Sequence, residues 1–233
     1  MLFKVKTVPG KPSQLRVGCK LGQLIGNGLG NWFGTNSDRS YNLTISYSSK
    51  VLWFRVAKVG TRTVLGHLKK EAVCLEAEHP YHVRYRAKNF TNFFRFAFVR
   101  NPWDRLVSAW LNKVVNSNHF GFAPESLKKY QDFANFVDYL SSVNVESCDS
   151  HLKLQSRLVD LGNVDFLGRF ETFAKDFVHV CKQIGISSQG VEAKNVSHGR
   201  KDYRKYYSGE LVEAVGEIYS RDIQIFGYDY DSD

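Results

Sequence analysis

Two short stretches combine residue types suited to holding an anion. In RVAKVGTRT (Arg55 to Thr63), Lys58 supplies a mobile charge, Gly60 lets the backbone come close to a phosphate, and Thr61 and Thr63 supply short hydroxyl donors. The lysine precedes the glycine, so this is not the ordinary G-x-x-x-x-G-K-S/T loop, and a plain strand-to-helix turn stands as the alternative. In RNPWDRLVSAW (Arg100 to Trp110), Arg100 closes an apolar run and Ser108 falls two turns into the helix that follows. A guanidinium fork and a hydroxyl so placed can converge on one planar or tetrahedral oxyanion. Arg100 and Arg105 can instead pair with Asp104 or another acid, a reading that suits Arg105 at least as well.

The elements that must position these residues follow from periodicity. Val51 to Val56 is apolar except for Arg55, which suits a strand covered on both faces. Helical spacing follows in Val64, Leu65, Leu68, Ala72 and Leu75. A second strand, Phe94 to Val99, runs into Asn101 as helix cap and Pro102 at the first helical position. Trp103, Leu106, Val107, Trp110 and Leu111 then mark one helical face. Further helices are expected over Phe133 to Leu140, over Phe173 to Ile184 with Gly185 as the stop, and from Ser208, with a short strand at Val164 to Leu167. Tyr41, Leu43, Ile45 and Tyr47 alternate with polar residues, the pattern of a half-buried strand. Strands alternating with helices predict an α/β layer structure around a mainly parallel sheet.

A chain of 233 residues, 43% hydrophobic and 14% aromatic, can build one substantial core. Residues 1–47 read as a glycine-rich segment plus an edge strand, with GNGLG (Gly26 to Gly30) as turns, and 48–233 as the main domain. The formal charge of +9 favours anionic partners. Without an arginine-rich arm or zinc-finger spacing, specific nucleic-acid readout is not expected. No run of eighteen apolar residues and no apolar signal core is found, so the expectation is a cytoplasmic protein without a membrane anchor. Cys19, Cys74, Cys148 and Cys181 form no C-x-x-C pair and read as reduced, buried thiols. No metal-ligand cluster is visible in the spacing.

Together the two anion stretches resemble the sulfotransferases that use 3′-phosphoadenosine 5′-phosphosulfate (PAPS), particularly the carbohydrate and heparan-type branch. RVAKVGTRT looks like that family's 5′-phosphosulfate loop, and FVRNPWDRLVSAW (Phe98 to Trp110) is similar to its 3′-phosphate motif. GRFE (Gly168 to Glu171), Asp176, Cys181 through Ile186, Tyr203 to Tyr207 and Asp222 through Tyr228 resemble later segments of the branch. The resemblance covers roughly residues 48–230. Ala57 and Arg62 depart from it, standing where a proline and a small hydroxyl residue are frequent.

The resemblance implies a P-loop-like three-layer fold, with helices flanking a central, mainly parallel sheet. It also implies sulfuryl transfer to an acceptor hydroxyl of a glycan or glycosylated metabolite, with adenosine 3′,5′-bisphosphate leaving and no metal required. Lys58 would contact the 5′-phosphate and the bridging oxygen, where negative charge grows as the S–O bond breaks. Gly60, Thr61, Arg62 and Thr63 would hold the phosphosulfate mainly through backbone N–H groups, and Arg100 and Ser108 would bind the 3′-phosphate. HGRK, ending at Lys201, would close over that phosphate. In EHPYHVRY, His82 is the first candidate for the base that takes the acceptor's proton; His151, in CDSHLKLQ, is the second, and Glu76 and Glu78 are carboxylate alternatives. Trp53 and Phe170 can flank adenine or simply fill the core. Rival readings are a non-catalytic nucleotide-binding module and, less consistent with the loop, a kinase-like phosphotransferase that would need ATP and magnesium.

Overall fold

The structure, a computed structural model, describes residues 40–191 and 202–232. Its four strands, β1 (Leu43–Ser46), β2 (Val51–Phe54), β3 (Phe94–Val99) and β4 (Phe166–Arg169), form one sheet in that spatial order. β1 runs antiparallel to β2, whereas β2, β3 and β4 are parallel to one another. Among the described residues, seven α-helices flank the sheet: α1 (Thr61–Lys70), α2 (Pro102–Trp110), α3 (Pro124–Tyr130), α4 (Phe133–Ser141), α5 (Phe173–Ile184), α6 (Gly209–Ile218) and α7 (Ser220–Phe226). This is the α/β arrangement that the periodicity predicts. None of the described helices is long and apolar enough to cross a membrane.

Continuous apolar sequence builds the parallel strands because both of their faces are covered. All of β2 is buried, and Trp53 stacks on its cross-strand neighbour Phe96 with ring centroids 5.8 Å apart. Helices α1 and α5 share the core of these strands through Val64, Leu68, Phe173 and Phe177. A second cluster joins α2, α4 and α6 through residues such as Trp103, Trp110, Phe136 and Val215. Asn101 caps α2 by accepting from the Trp103 N–H at 3.1 Å, and Pro102 occupies the first turn.

Four expectations change. β1 is buried on both faces, not half-buried, because the returning segment forms bridges from Ala77 to Ile45 and from Val83 to Tyr41. The polar face of β1 is satisfied beneath it, the Thr44 hydroxyl donating to the Glu78 carbonyl at 2.6 Å. α1 ends at Lys70, with Ala72 in a left-handed conformation, so Ala72 and Leu75 lie beyond the helix, Ala72 exposed and Leu75 buried. The last helical stretch is two helices, broken at Tyr219. Cys74 is disulfide-bonded, whereas Cys148 and Cys181 are free thiols. A pairing between cysteines far apart in sequence leaves no local spacing signal. The GNGLG turns lie outside the described residues.

Candidate active site

The loops that leave β2, β3 and β4 share the carboxyl edge of the parallel strands, where α/β sheets present ligand sites. Past β2 the chain makes a tight reversal. Lys58 has φ 73° and Gly60 φ 84°, both in the left-handed region. A Cβ at Gly60 would also stand 2.8 Å from the Phe173 ring, so the loop needs glycine for space as well as conformation. The Thr61 hydroxyl donates back to the Val56 carbonyl at 2.9 Å and closes the turn at the start of α1. Thr63 N–H and Val64 N–H both bond to the Gly60 carbonyl. Among the described residues, the backbone N–H groups of Val59, Gly60, Thr61 and Arg62 have no backbone acceptor. They are the donors that a helix start offers an anion. The Thr63 N–H and the Thr61 O–H, expected as anion donors, are instead spent inside the turn, because its closure requires them.

Around this turn gathers a set of cations. Burial, together with the charges of Arg100, Lys113, Arg62 and Arg105, pulls the Lys58 ammonium down to about 8. Lys58 has no carboxylate partner among the described residues. Such a concentration of positive charge suits a multiply charged anion.

Arg100 is buried: its Nε donates to Asp104 Oδ2 at 2.8 Å, its Nη2 lies 2.7 Å from the same oxygen, and its Nη1 donates to the Lys58 carbonyl at 2.8 Å. The guanidinium stacks on Phe170 at 4.2 Å. Gln155 clamps the Arg100 backbone in both directions, accepting from its N–H at 3.0 Å and donating to its carbonyl at 2.8 Å. Asp222, buried, in turn accepts from the backbone N–H groups of Gln155 and Ser156. Ser108 sits half-buried on α2, with no hydrogen-bond partner for its hydroxyl among the described residues.

Arg105 is fully buried and, among the described residues, pairs with no acid; it holds three carbonyls instead. Its Nε donates to Ala57 at 3.1 Å, Nη1 to Lys153 at 3.0 Å and Nη2 to Ser150 at 2.9 Å. One guanidinium thus fixes the residue before Lys58 and two residues that flank His151, Ser150 and Lys153. The two histidine candidates differ sharply. His82 is exposed, with φ 54°; its N–H donates to Asn42 Oδ1 at 3.2 Å, and its ring has no partner among the described residues. His151 Nδ1 lies 2.7 Å from Asp149 Oδ1, an orienting bond, and burial outweighs that pull to hold the imidazole below its ordinary value. Lys113 acts electrostatically on both Lys58 and His151.

The carboxylate alternatives are engaged elsewhere. Glu76 accepts from the Tyr47 and Ser48 N–H groups, and Glu78 pairs with Lys69 at 2.5 Å. Trp53 is core, 1% exposed. Lys201 lies outside the described residues.

The profile of a sulfotransferase family matches residues 41–229. The chain belongs to the sulfotransferase family. Among curated proteins this sulfotransferase is 27% identical over 173 residues to carbohydrate sulfotransferase 10 of Gallus gallus, covering 60% of this chain and 48% of the relative. It is 26% identical over 172 residues to carbohydrate sulfotransferase 10 of Homo sapiens, with the same two coverages. Carbohydrate sulfotransferase 11 of Rattus norvegicus is 24% identical over 175 residues, covering 63% of this chain and 49% of that protein. The chain spans about half the length of the curated relatives it matches. No solved structure matches it significantly.

Three parts of this candidate site escape sequence reasoning. Gln155 has no motif of its own, because its role is to hold a backbone strand end 55 residues away. Arg105 sits one residue after an acid, and only the fold shows that it faces away from that acid toward three carbonyls. Lys113 lies in a π-helical turn, Leu111–Val115, that continues α2 and sets its side chain near the site. Such turns break the 3.6-residue spacing from which helix faces are read.

Proposed function

We propose that this sulfotransferase moves a sulfuryl group from PAPS to a hydroxyl of a carbohydrate acceptor. The observation that carries the proposal is the Lys58 turn, where open backbone N–H groups lie beside a concentration of cations and, among the described residues, no acid pairs with Lys58. The N–H groups of Gly60, Thr61 and Arg62 hold the phosphosulfate, and Lys58 meets the bridging oxygen as it gains charge. Arg100 and the Ser108 hydroxyl serve the 3′-phosphate, with Arg100 bound also to the loop. The acceptor oxygen attacks sulfur in line, the S–O bond to the phosphate breaks, and adenosine 3′,5′-bisphosphate departs. The proton passes to His151 Nε2, because Asp149 engages the opposite ring nitrogen. Positioning and electrostatics supply most of the effect, as in phosphoryl transfer.

The carbohydrate acceptor is supported by the names of the relatives, and PAPS by the family. A kinase-like reading is not favoured by either. The disulfide at Cys74 favours an oxidising compartment over the cytoplasm, and we propose that location. Transfer of radiolabelled sulfate from PAPS to pooled glycans tests the function. Labelled glycan from the wild type, lost in Lys58→Ala, is the expected result. Tight binding of adenosine 3′,5′-bisphosphate with no transfer to any acceptor would favour a non-catalytic module.

A further inference from the structure

His119, Asp149 and His151 place two imidazoles and a carboxylate around one point, their ligand atoms all within 4.8 Å of one another. His151 Nδ1 lies 2.7 Å from Asp149 Oδ1, and His119 Nε2 lies 3.3 Å from Asp149 Oδ2. The two rings stand 4.8 Å apart between centroids, at 73° to each other. Ligand atoms bound tetrahedrally at about 2.0–2.1 Å from an ion stand roughly 3.3 Å apart. The His119 to Asp149 spacing already meets that figure. The two contacts use different oxygens of Asp149; the His151 contact must open by about 0.6 Å to reach that figure, and the two imidazoles must draw together. His119 has the freedom to do so, being exposed on the loop after the π turn, where its N–H donates to the Lys113 carbonyl at 3.0 Å.

We infer that His119, Asp149 and His151 form a binding site for a transition-metal dication of the zinc type, and that metal bound there shuts off sulfuryl transfer. Two imidazoles and one carboxylate suit zinc, cobalt or nickel rather than magnesium or calcium, which take oxygen ligands. Three protein ligands leave a fourth position for water. The nearby positive charge of Lys113 works against a dication, so the site suits reversible occupancy better than a permanent structural ion.

The inhibitory effect rests on the assignment of His151 as base. Metal on Nδ1 leaves the ring proton on Nε2, the nitrogen that must be empty to accept the proton of the acceptor hydroxyl. The metal site itself does not depend on that assignment.

Titration of the metal-free protein with cobalt(II) tests the binding. The wild type should show the intense visible bands of tetrahedral cobalt, bleached by equimolar zinc and unaffected by magnesium. His119→Ala should weaken cobalt binding at least tenfold, with its circular dichroism unchanged. Equal cobalt spectra in the wild type and His119→Ala would overturn the site. Zinc should lower transfer by the wild type more than tenfold and transfer by His119→Ala little, while the two proteins transfer sulfate equally without metal. Cobalt bands with undiminished transfer in zinc would overturn the inhibition. Should no acceptor be sulfated at all, the cobalt titration still decides the site, while the failure falls on the sulfotransferase reading.

Discussion

Arg100 Nη1 donates to the backbone carbonyl of Lys58 at 2.8 Å, joining the end of β3 to the turn after β2. The same guanidinium neutralises the buried Asp104 carboxylate. A side chain read in the sequence as an anion ligand therefore also holds the loop that carries Lys58. Removing it strands an acid in the interior. Arg100→Ala should cost about 3–5 kcal/mol of stability, the range for breaking one partner out of a buried pair. Arg100→Ala with Asp104→Asn should recover part of that stability in urea unfolding, but little of the donor affinity. A surface ligand for the 3′-phosphate would behave differently, with Arg100→Ala almost as stable as wild type and only its preference for adenosine 3′,5′-bisphosphate over AMP lost.

Donor binding should depend on pH through Lys58. Its ammonium is pulled down to about 8 by burial and by Arg100, Lys113, Arg62 and Arg105, so the unliganded protein loses that charge as pH rises through this value. A polyanion favours the charged form, so binding above the shifted value must take up a proton and weakens as pH climbs. Below it the affinity should be flat. Calorimetry with adenosine 3′,5′-bisphosphate, in two buffers of different ionisation enthalpy, counts the proton directly. Lys58→Arg keeps its charge throughout and should abolish the proton uptake. An unchanged pH profile in that variant would place the titration elsewhere.

Arg105 links the donor loop to the segment of His151, so its loss should affect both. Arg105→Lys keeps the charge but cannot reach three carbonyls with one ammonium. At least one buried carbonyl then lacks a donor, at about 1–3 kcal/mol each. The expected outcome is a lower unfolding midpoint together with weaker donor binding and slower single-turnover transfer. A loss confined to donor affinity would mean that the segment around His151 holds itself in place.

How far the sequence reveals this molecule depends on whether the signal is local. The strand-to-helix junctions at Lys58 and Asn101 are legible because caps, glycine and apolar runs act over a few residues. The cover over β1 is not, because the alternation of Tyr41 to Tyr47 describes the strand and not the segment from Ala77 to Val83 that returns to bury its polar face. The same limit hides Gln155 and Arg105, whose partners are backbone atoms and leave no complementary residue type to find. It also bears on the two histidines: position between two motifs favours His82 in the sequence but says nothing about which histidine has an acid to orient it.

That difference between the histidines gives the most direct test of the catalytic assignment. His151 is bonded to Asp149 and its neighbours are fixed by Arg105, whereas the ring of His82 is exposed and unpartnered among the described residues. A general base must be held in one orientation to act in the transition state, and its removal costs about 10²–10⁴ in rate. His151→Ala should therefore slow single-turnover transfer by roughly a hundredfold or more with saturating PAPS, in the absence of added metal. Its affinity for adenosine 3′,5′-bisphosphate should be nearly unchanged, because its role lies at the acceptor. Asp149→Asn should also slow transfer, by less, since the imidazole survives but loses the acid that orients it. His82→Ala should stay within about twofold of wild type, because an exposed ring with no partner among the described residues is not held in one orientation to act. The reverse pattern, with His82→Ala inactive and His151→Ala active, would move the base to the segment beside β1 and make the pairing of His151 with Asp149 purely structural.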